Sequence, residues 1–384
     1  MSSHLRVFIV AVLCLVASSP GGAQSDRQAD PLPRRGALGV ALGVDDAGAV
    51  RVTAVQEDSA AAQLGIIAKD VIQSIDGTPV RTPADVIAAI GRHARGRIVA
   101  LDLVRDGHLQ HREGMLKALA QETLPGAEME YGSVTASGVR LRTIVSIPAT
   151  RAGRVPAVLL IQGGGCGSVD TPQSPDTAQP GLIRAIGMRG FVTMRVDKSG
   201  TGDSEGPPCD AIGYEEELAG YRAALRALKA HRAVDPARVF VLGLSLGGVF
   251  APIVANESAV AGIVTYGTIS FAPTTYPGRS ERFFREFASV DVPAAWAKVD
   301  ARVLVLHGTY DEGTAAEDHE KIARIVNARH PGWAEHRELD RLDHCWSRHA
   351  TLEASRDKCG RGEETTDLLT ATLGFLTARS DAAR

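Results

Sequence analysis

Short, mostly apolar runs alternate with helical stretches through the second half of the chain. The runs lie at residues 157–161, 191–196, 239–242, 261–266 and 303–306. Such runs suit strands that are buried on both faces of a sheet. Between them, residues 214–230 repeat apolar side chains at helical spacing. This alternation predicts an α/β domain with a doubly wound, mostly parallel sheet. Residues 135–147 predict an antiparallel hairpin before it, turning at Ser137 and Gly138.

The pattern Gly-x-Ser-x-Gly occurs at residues 243–247, after one apolar run and before a helical stretch of small residues. A serine hydroxyl is a weak nucleophile, so it has to stand exposed on a tight turn from strand to helix. Glycines permit that turn, and the N–H groups that begin the helix suit developing negative charge. The context therefore predicts Ser245 as a nucleophile.

A second Gly-x-Ser-x-Gly surrounds Ser204 at residues 202–206. Pro207 and Pro208 follow it, and prolines there disfavour a helix that starts at this point. We therefore reject Ser204 as the nucleophile and predict a structural loop at the rim of the site.

Residues 131–376 resemble the α/β-hydrolase family. The segments that carry the resemblance are Gln-Gly-Gly-Gly at 162–165, the Gly-rich stretch 197–204, the turn around Ser245, Gly-Thr-Tyr-Asp at 308–311, and His344. They follow the family's chain order of Ser, then Asp, then His. The resemblance implies a serine hydrolase that needs neither a metal nor an organic cofactor.

The acid and the base of such a site are expected on two late loops. Asp311 follows the run 303–306, where a carboxylate can orient and stabilise an imidazole; Glu312 and Asp318 are its rivals. His344 lies where the family has its histidine, and His349 is the alternative. Other histidines fall at a strand end or on a predicted surface helix, namely His307, His319 and His330.

The Gln-Gly-Gly-Gly run resembles the family's oxyanion loop, in which backbone N–H groups contact the substrate oxygen. The resemblance implies Leu246 N–H as one donor and Gly164 N–H as the other, with Gly165 as an alternative. Gln162 stands where the family usually has His.

The first 23 residues predict a cleaved export signal. Arg6 precedes an apolar stretch at residues 7–16, and Gly21 and Ala23 offer small residues for cleavage. A buried helix or an uncleaved anchor is the alternative. No later stretch is apolar for long enough to form a membrane helix, so we expect no integral membrane segment after signal removal. The predicted location is secreted or periplasmic.

Four cysteines remain in the exported chain, which favours two disulfides. Three pairings are possible, and free or buried thiols are the alternative. Cys166 ends the oxyanion loop and Cys209 ends the neighbouring Gly-rich loop, so we favour this pair. We also favour Cys345 with Cys359, a bond that would hold the loop of His344.

A smaller unit precedes the α/β domain along the chain and resembles a PDZ domain of the bacterial type. Residues 24–34 are polar, contain two prolines and predict a linker. The resemblance is carried by residues 37–40, 58–65 and 70–77 within a predicted α+β domain at 35–120. It implies that a protein C-terminus adds a strand to the sheet edge and binds a cradle, with charge from Arg34 or Arg35. The cradle consists of Leu38, Gly39 and Val40. A domain that has lost peptide binding and only packs on its neighbour is the alternative.

The catalytic domain is predicted at residues 121–384. We expect an exported enzyme that cleaves carboxylic esters, with a small-molecule ester or a peptide as substrate. A serine peptidase with PDZ-assisted delivery and a non-catalytic peptide-binding protein are the alternatives. The net charge of −3 is spread along the chain, so nucleic acid is not an expected partner. An insert at residues 270–301 is interpreted as a lid over an apolar pocket or as outer packing.

Overall fold

The structure is a computed structural model that describes residues 29–91, 93, 95–172, 178–274, 278–356 and 359–382. The predicted signal at residues 1–23 lies outside the described residues, as does the start of the predicted linker. Among the described residues, no helix is both long and apolar enough to cross a bilayer.

The first domain is a small antiparallel sheet with two helices. Its elements are β1 (Gly36–Ala37), β2 (Val40–Val44), β3 (Val50–Val55), α1 (Ala60–Gln63), β4 (Val71–Ile75), β5 (Thr78–Pro79), α2 (Pro83–Gly91), β6 (Ile98–Arg105), β7 (His108–Met115) and β8 (Lys117–Ala118). The main sheet has the order β2-β3-β4-β6-β7, which leaves β2 at one edge. Val52, Leu101 and Leu103 are fully buried in its core.

Residues 36–44 form two separate strands. β1 pairs with β8 in a separate two-stranded sheet, and β2 begins three residues later. Gly39 lies between them with φ +79°, a conformation that favours glycine. A β-carbon on Gly39 would lie 2.3 Å from Ser59 Cβ, so the first helix packs directly on this turn.

The second domain contains the larger sheet. Its elements are β9 (Ala127–Ala136), β10 (Val139–Pro148), β11 (Val155–Ile161), α3 (Ala178–Met188), β12 (Val192–Val196), α4 (Tyr214–Ala230), β13 (Val234–Leu244), α5 (Gly247–Glu257), β14 (Gly262–Tyr266), α6 (Glu281–Phe287), α7 (Val292–Ala297), β15 (Arg302–Gly308), α8 (Ala316–Arg329), β16 (Ala334–Leu339), β17 (Ser347–Arg348), α9 (Leu352–Arg356), β18 (Glu363–Glu364) and α10 (Asp367–Ala382).

The sheet of the second domain has eight strands in the order β16-β15-β14-β13-β11-β12-β10-β9. The strands from β16 to β12 run parallel, while β10 and β9 are antiparallel and form the predicted edge hairpin. Apolar side chains of α3 and α10 cover one face, and those of α4, α5, α7 and α8 cover the other. The predicted doubly wound α/β fold is confirmed.

Residues 29–34 are attached to the second domain, although the sequence assigns them to a linker. Ala29 exchanges two backbone hydrogen bonds with Ser133 of β9, at 2.8 and 3.0 Å. Leu32 is buried. Arg34 forms ion pairs with Asp170 and Asp203 of the second domain, at 2.6 and 2.5 Å. Ion pairing and burial therefore fix this segment in place.

The insert at residues 270–301 packs into the core of the second domain. Phe283, Phe287 and Trp296 are fully buried. The rings of Tyr214 and Phe287 stack with centroids 4.8 Å apart. Tyr276 lies outside the described residues. These contacts favour packing over a free lid for the described aromatic side chains.

Candidate active site

Ser245 lies at the sharp turn between β13 and α5. Its φ is +52°, in the left-handed region that a residue with a β-carbon rarely adopts. Its N–H donates to Tyr266 O at 2.9 Å, which ties the turn to the neighbouring strand. A β-carbon on Gly247 would lie 2.1 Å from Ile161 O, so this position requires glycine. The strained turn is the one predicted for a nucleophilic serine.

His344 and Asp311 form a hydrogen-bonded pair, since His344 Nδ1 donates to Asp311 Oδ2 at 2.8 Å. Asp311 also accepts from Thr314 Oγ1 at 2.8 Å and from Gly313 N at 2.8 Å. Burial alone would raise the pKa of Asp311, but these hydrogen bonds and the charge of His344 lower it below its usual value. The carboxylate is therefore held ionised beside the imidazole.

The imidazole of His344 is perturbed by two opposing effects. Burial disfavours its charged form, but the hydrogen bond to Asp311 and the charge of that carboxylate outweigh it and raise the pKa of His344. Since Nδ1 is engaged with Asp311, Nε2 is the ring nitrogen left for proton transfer.

Gly267, at the end of β14, connects the turn of Ser245 to this pair. It follows Tyr266, whose carbonyl accepts from Ser245 N. A β-carbon on Gly267 would lie 2.8 Å from Asp311 Oδ2 and 3.0 Å from His344 Nδ1. The structure thus brings the three predicted residues to one end of the sheet; their assignment as a triad stays a prediction.

The rival residues have partners of their own. Glu312 accepts from Arg356 Nε at 2.8 Å, and Asp318 accepts from Ser270 N at 3.2 Å. His349 is buried and donates through Nε2 to Asp343 Oδ2 at 2.8 Å. These contacts favour Asp311 and His344 over the alternatives.

His319 lies on α8, the predicted surface helix, but on its inner face, where the side chain is fully buried. Its Nε2 accepts from Thr268 N at 3.0 Å, and its Nδ1 donates to Ala315 O at 2.8 Å. Burial lowers the pKa of His319 to about 4. The neutral ring therefore braces Thr268, next to Gly267, against the start of α8.

The Gln-Gly-Gly-Gly run follows β11 and lies beside the nucleophile turn. A β-carbon on Gly163 would be 3.1 Å from Ser245 Cβ and 3.6 Å from Ser245 Oγ. Gly164 and Gly165 follow Gly163 directly, and Leu246 directly follows Ser245 at the start of α5. The predicted oxyanion donors thus belong to the two backbone segments that meet at the serine.

Both favoured disulfides are confirmed. The Cα atoms are 5.6 Å apart in Cys166–Cys209 and 5.3 Å apart in Cys345–Cys359. Asp343 also holds the loop of His344, since it accepts from Cys345 N at 2.9 Å and Ser347 N at 2.8 Å. The loops on both sides of the serine are therefore covalently fixed.

The predicted peptide cradle lies in the turn before β2. Leu38 is buried and its carbonyl accepts from Ala61 N at 2.8 Å, while Gly39 O accepts from Gln56 N at 2.9 Å. The sheet order leaves β2 open on one side. The expectation that Arg34 or Arg35 adds charge to the cradle was wrong, because both side chains bind the second domain. Arg35 donates there to Gly200 O and Ser204 O, each at 3.2 Å.

Comparison with known proteins supports both domains. Residues 36–113 match the family described as PDZ domain. An uncharacterised protein of Pseudomonas aeruginosa is 31% identical over 150 residues, which are 38% of this chain and 38% of that protein. Esterase EstD of Thermotoga maritima is 28% identical over 112 residues, 29% of this chain and 26% of that protein. The matched stretches therefore span well under half of these relatives.

Solved structures resemble the second domain. Est1E from Butyrivibrio proteoclasticus, with ferulic acid bound, superposes with a TM-score of 0.50 at 16% identity, covering 64% of this chain and 99% of that one. At this identity the likeness establishes the fold alone. The chain thus joins a PDZ domain at residues 36–113 to a second domain with the α/β-hydrolase fold.

Proposed function

We propose that this protein is a serine hydrolase that cleaves carboxylic esters through Ser245, His344 and Asp311. The observation that carries the proposal is the position of Gly267. Its neighbour Tyr266 holds the strained turn of Ser245, and Gly267 itself lies against the His344–Asp311 pair. A serine on a strained turn beside an oriented imidazole is the arrangement that nucleophilic catalysis requires.

The proposed reaction is acyl transfer to water. His344 Nε2 takes the proton of Ser245 Oγ as the oxygen attacks the ester carbonyl, and the oxyanion is stabilised by Leu246 N–H and Gly164 N–H. The C–O bond to the alcohol then breaks, and the alcohol leaves with the proton from His344. Water hydrolyses the acyl-enzyme in the same two steps, which releases the acid and restores the serine.

Names of similar proteins agree with an ester substrate. One relative is named an esterase, and Est1E is described with bound ferulic acid. The signal predicted at the start of the chain and the two disulfides support a secreted or periplasmic location. The open edge of β2 supports a protein C-terminus as ligand of the PDZ domain.

The test is labelling with a fluorophosphonate probe, followed by hydrolysis of p-nitrophenyl esters of increasing chain length. We expect the wild type to react with the probe and to hydrolyse esters, and Ser245→Ala to do neither. Ser204→Ala is the matched control, because it removes the serine of the other Gly-x-Ser-x-Gly and should keep labelling. A wild type that resists the probe and cleaves no ester would contradict the proposal.

A peptidase is the second candidate, because the PDZ domain at residues 36–113 suits delivery of chain ends. Aminoacyl p-nitroanilides separate the two candidates. Turnover of anilides above that of the esters, lost in Ser245→Ala, would assign a peptidase instead.

A further inference from the structure

Lys198 is a buried lysine directly behind the oxyanion loop. Its side chain is only 1% exposed. Its Nζ donates to Gly163 O at 2.6 Å and to Gly165 O at 2.8 Å. One amino group therefore holds two carbonyl groups of the same three-glycine loop.

The planarity of the peptide bond gives these contacts a direction. Within one peptide unit, the C=O of a residue and the N–H of the next residue point in opposite directions. Since the carbonyl of Gly163 points toward Lys198, the N–H of Gly164 points away from it. The same holds for Gly165 O and Cys166 N–H. Glycines have no side chain to fix their own peptide planes, so the amino group of Lys198 sets the orientation of the Gly164 donor.

One carboxylate, that of Glu217, lies on the other side of Lys198 and is shared with Arg279, so burial and the charge of Arg279 lower the pKa of Lys198. Glu217 Oε1 lies 3.0 Å from Lys198 Nζ and accepts from Tyr221 OH at 3.2 Å. Glu217 Oε2 pairs with Arg279. Arg279 in turn donates to Cys209 O at 3.2 Å, at the disulfide that closes the loop. The cluster thus links the loop and its disulfide to α4.

Burial of such a cluster needs a reason other than stability. Removing charges from water is costly, and apolar replacements of buried ion pairs are often neutral or stabilising. An apolar side chain at position 198 would fill the space but donate to neither carbonyl. Resting on the proposed function, we propose that Lys198 is a positioning residue that orients the Gly164 N–H toward the oxyanion.

The test is Lys198→Met in the full chain, with Lys229→Met as matched control. Methionine keeps much of the apolar stem, and Glu217 retains Arg279 as its partner. Lys229 also donates to a backbone carbonyl, Ala259 O at 2.7 Å, but at the opposite end of α4. Loss of one oxyanion donor typically lowers kcat by about 10²-fold or more. We expect about that loss of kcat in Lys198→Met, with KM changed less than about threefold, and no loss in the control.

A second readout separates positioning from a general structural defect. A trifluoromethyl ketone forms a tetrahedral oxyanion on the serine, so its affinity should fall by the same factor as kcat/KM. A variant that keeps kcat within about threefold, or that keeps its affinity for the ketone while kcat falls, overturns the inference and leaves the proposed function intact. A wild type without esterase activity overturns both.

Lys198→Gln decides the matter if the methionine variant does not fold. The neutral amide retains N–H donors on a shorter stem, so we expect an intermediate loss of kcat, about tenfold, at an unchanged KM. Wild-type kcat in a folded glutamine variant that binds the ketone normally would overturn the inference.

Discussion

The chain carries Gly-x-Ser-x-Gly twice, and the two copies have different structures. Ser245 sits at a left-handed turn with φ +52° and opens α5. Ser204 is buried; its Oγ accepts from Arg142 N at 2.8 Å and donates to Asp197 O at 3.4 Å. The Ser245 hydroxyl stands on the turn from a strand to a helix, while the Ser204 hydroxyl fastens a loop to β10.

The glycines of both copies are needed for the same steric reason. A β-carbon on Gly202 would lie 2.0 Å from Asp197 Oδ2, and one on Gly247 would lie 2.1 Å from Ile161 O. The glycines therefore indicate close approach of other atoms, and they do not distinguish the two loops. What distinguishes them is the residue before each serine and the segment after it.

The residue before the serine is Leu244 in one copy and Asp203 in the other. Leu244 ends β13 and packs in the core. Asp203 forms ion pairs with Arg142 at 2.8 Å and with Arg34 at 2.5 Å. After the serines, α5 begins in the first copy, while Pro207 continues the other as a loop. The residues on either side of the pattern therefore distinguish a serine on a strand-to-helix turn from a serine buried in a loop.

The largest expected effect is the difference in kcat between Ser245→Ala and Ser204→Ala. Ser245→Ala should lower kcat for p-nitrophenyl esters at least about 10³-fold, because the proposed nucleophile is lost, and leave the melting temperature nearly unchanged. Ser204→Ala should keep kcat within a few-fold and cost about 1 kcal/mol of stability through a lost buried hydrogen bond. Steady-state kinetics and thermal unfolding of both variants check this. A large loss of kcat in Ser204→Ala, with little loss in Ser245→Ala, would contradict the choice of Ser245 as the nucleophile.

Asp203→Asn tests the buried ion pairs of the second copy. The variant leaves Arg34 and Arg142 short of one carboxylate, so the free energy of unfolding should fall by about 4 kcal/mol. Glu205→Gln is the control, because its pair with Arg140 is exposed and should contribute less than about 1 kcal/mol. Urea unfolding measures both. Equal losses in the two variants would contradict the role given to burial.

Acid should lower the free energy of unfolding through His319, which accepts a hydrogen bond from Thr268 N. The pKa of His319 is about 4 in the folded protein and about 6.5 when unfolded, so the unfolded state takes up a proton first. Stability is complete above pH 6.5 and falls as the pH drops, by about 3 kcal/mol at pH 4. His319→Gln binds no proton there, so its stability should depend less on pH. A free energy of unfolding that falls equally with pH in the wild type and in His319→Gln would contradict this prediction.

The smallest effect concerns the pH dependence of activity. The proposed mechanism needs neutral His344, whose pKa Asp311 raises, so kcat/KM should rise with pH through a midpoint above the usual histidine value of about 6.5. Asp311→Asn should lower kcat and shift this midpoint to lower pH, since the effect of burial on the pKa of His344 is then opposed by the charge of Asp343 without that of Asp311. Ser204→Ala should leave the midpoint in place. A midpoint unmoved by Asp311→Asn would speak against this pair.

Much of the fold could be predicted because its signals are local. α4 spans the predicted residues 214–230, and the hairpin turns at the predicted residues 137 and 138. β16 escaped prediction because an edge strand has fewer buried side chains than a central one, and the sequence of Ala334–Leu339 is largely polar. Apolar periodicity finds central strands and misses such edges.

Sequence reasoning reached the parts of the candidate site where a residue type indicates its chemistry. The cysteine pairs are confirmed, while the roles of Ser245 and His344 stay predictions. Lys198 gave no such signal, because a lysine in a Gly-rich stretch is ordinarily exposed, and its burial depends on Glu217 nineteen residues later. The burial of His319 likewise depends on which face of α8 meets the sheet. The burial of Lys198 and of His319 depends on contacts between segments that are far apart in the chain. The apolar periodicity of a single segment does not predict such contacts.

The strand-like pairing of Ala29 with Ser133 has a consequence for the isolated second domain. β9 is the last strand of the eight, and an open outer strand offers unpaired N–H and C=O groups to other chains. In the full chain, Ala29 already pairs with Ser133 on the outer side of β9. A fragment released at residue 121 would lose this cover together with Arg34, so we expect it to aggregate through strand-to-strand contacts where the intact protein remains dispersed.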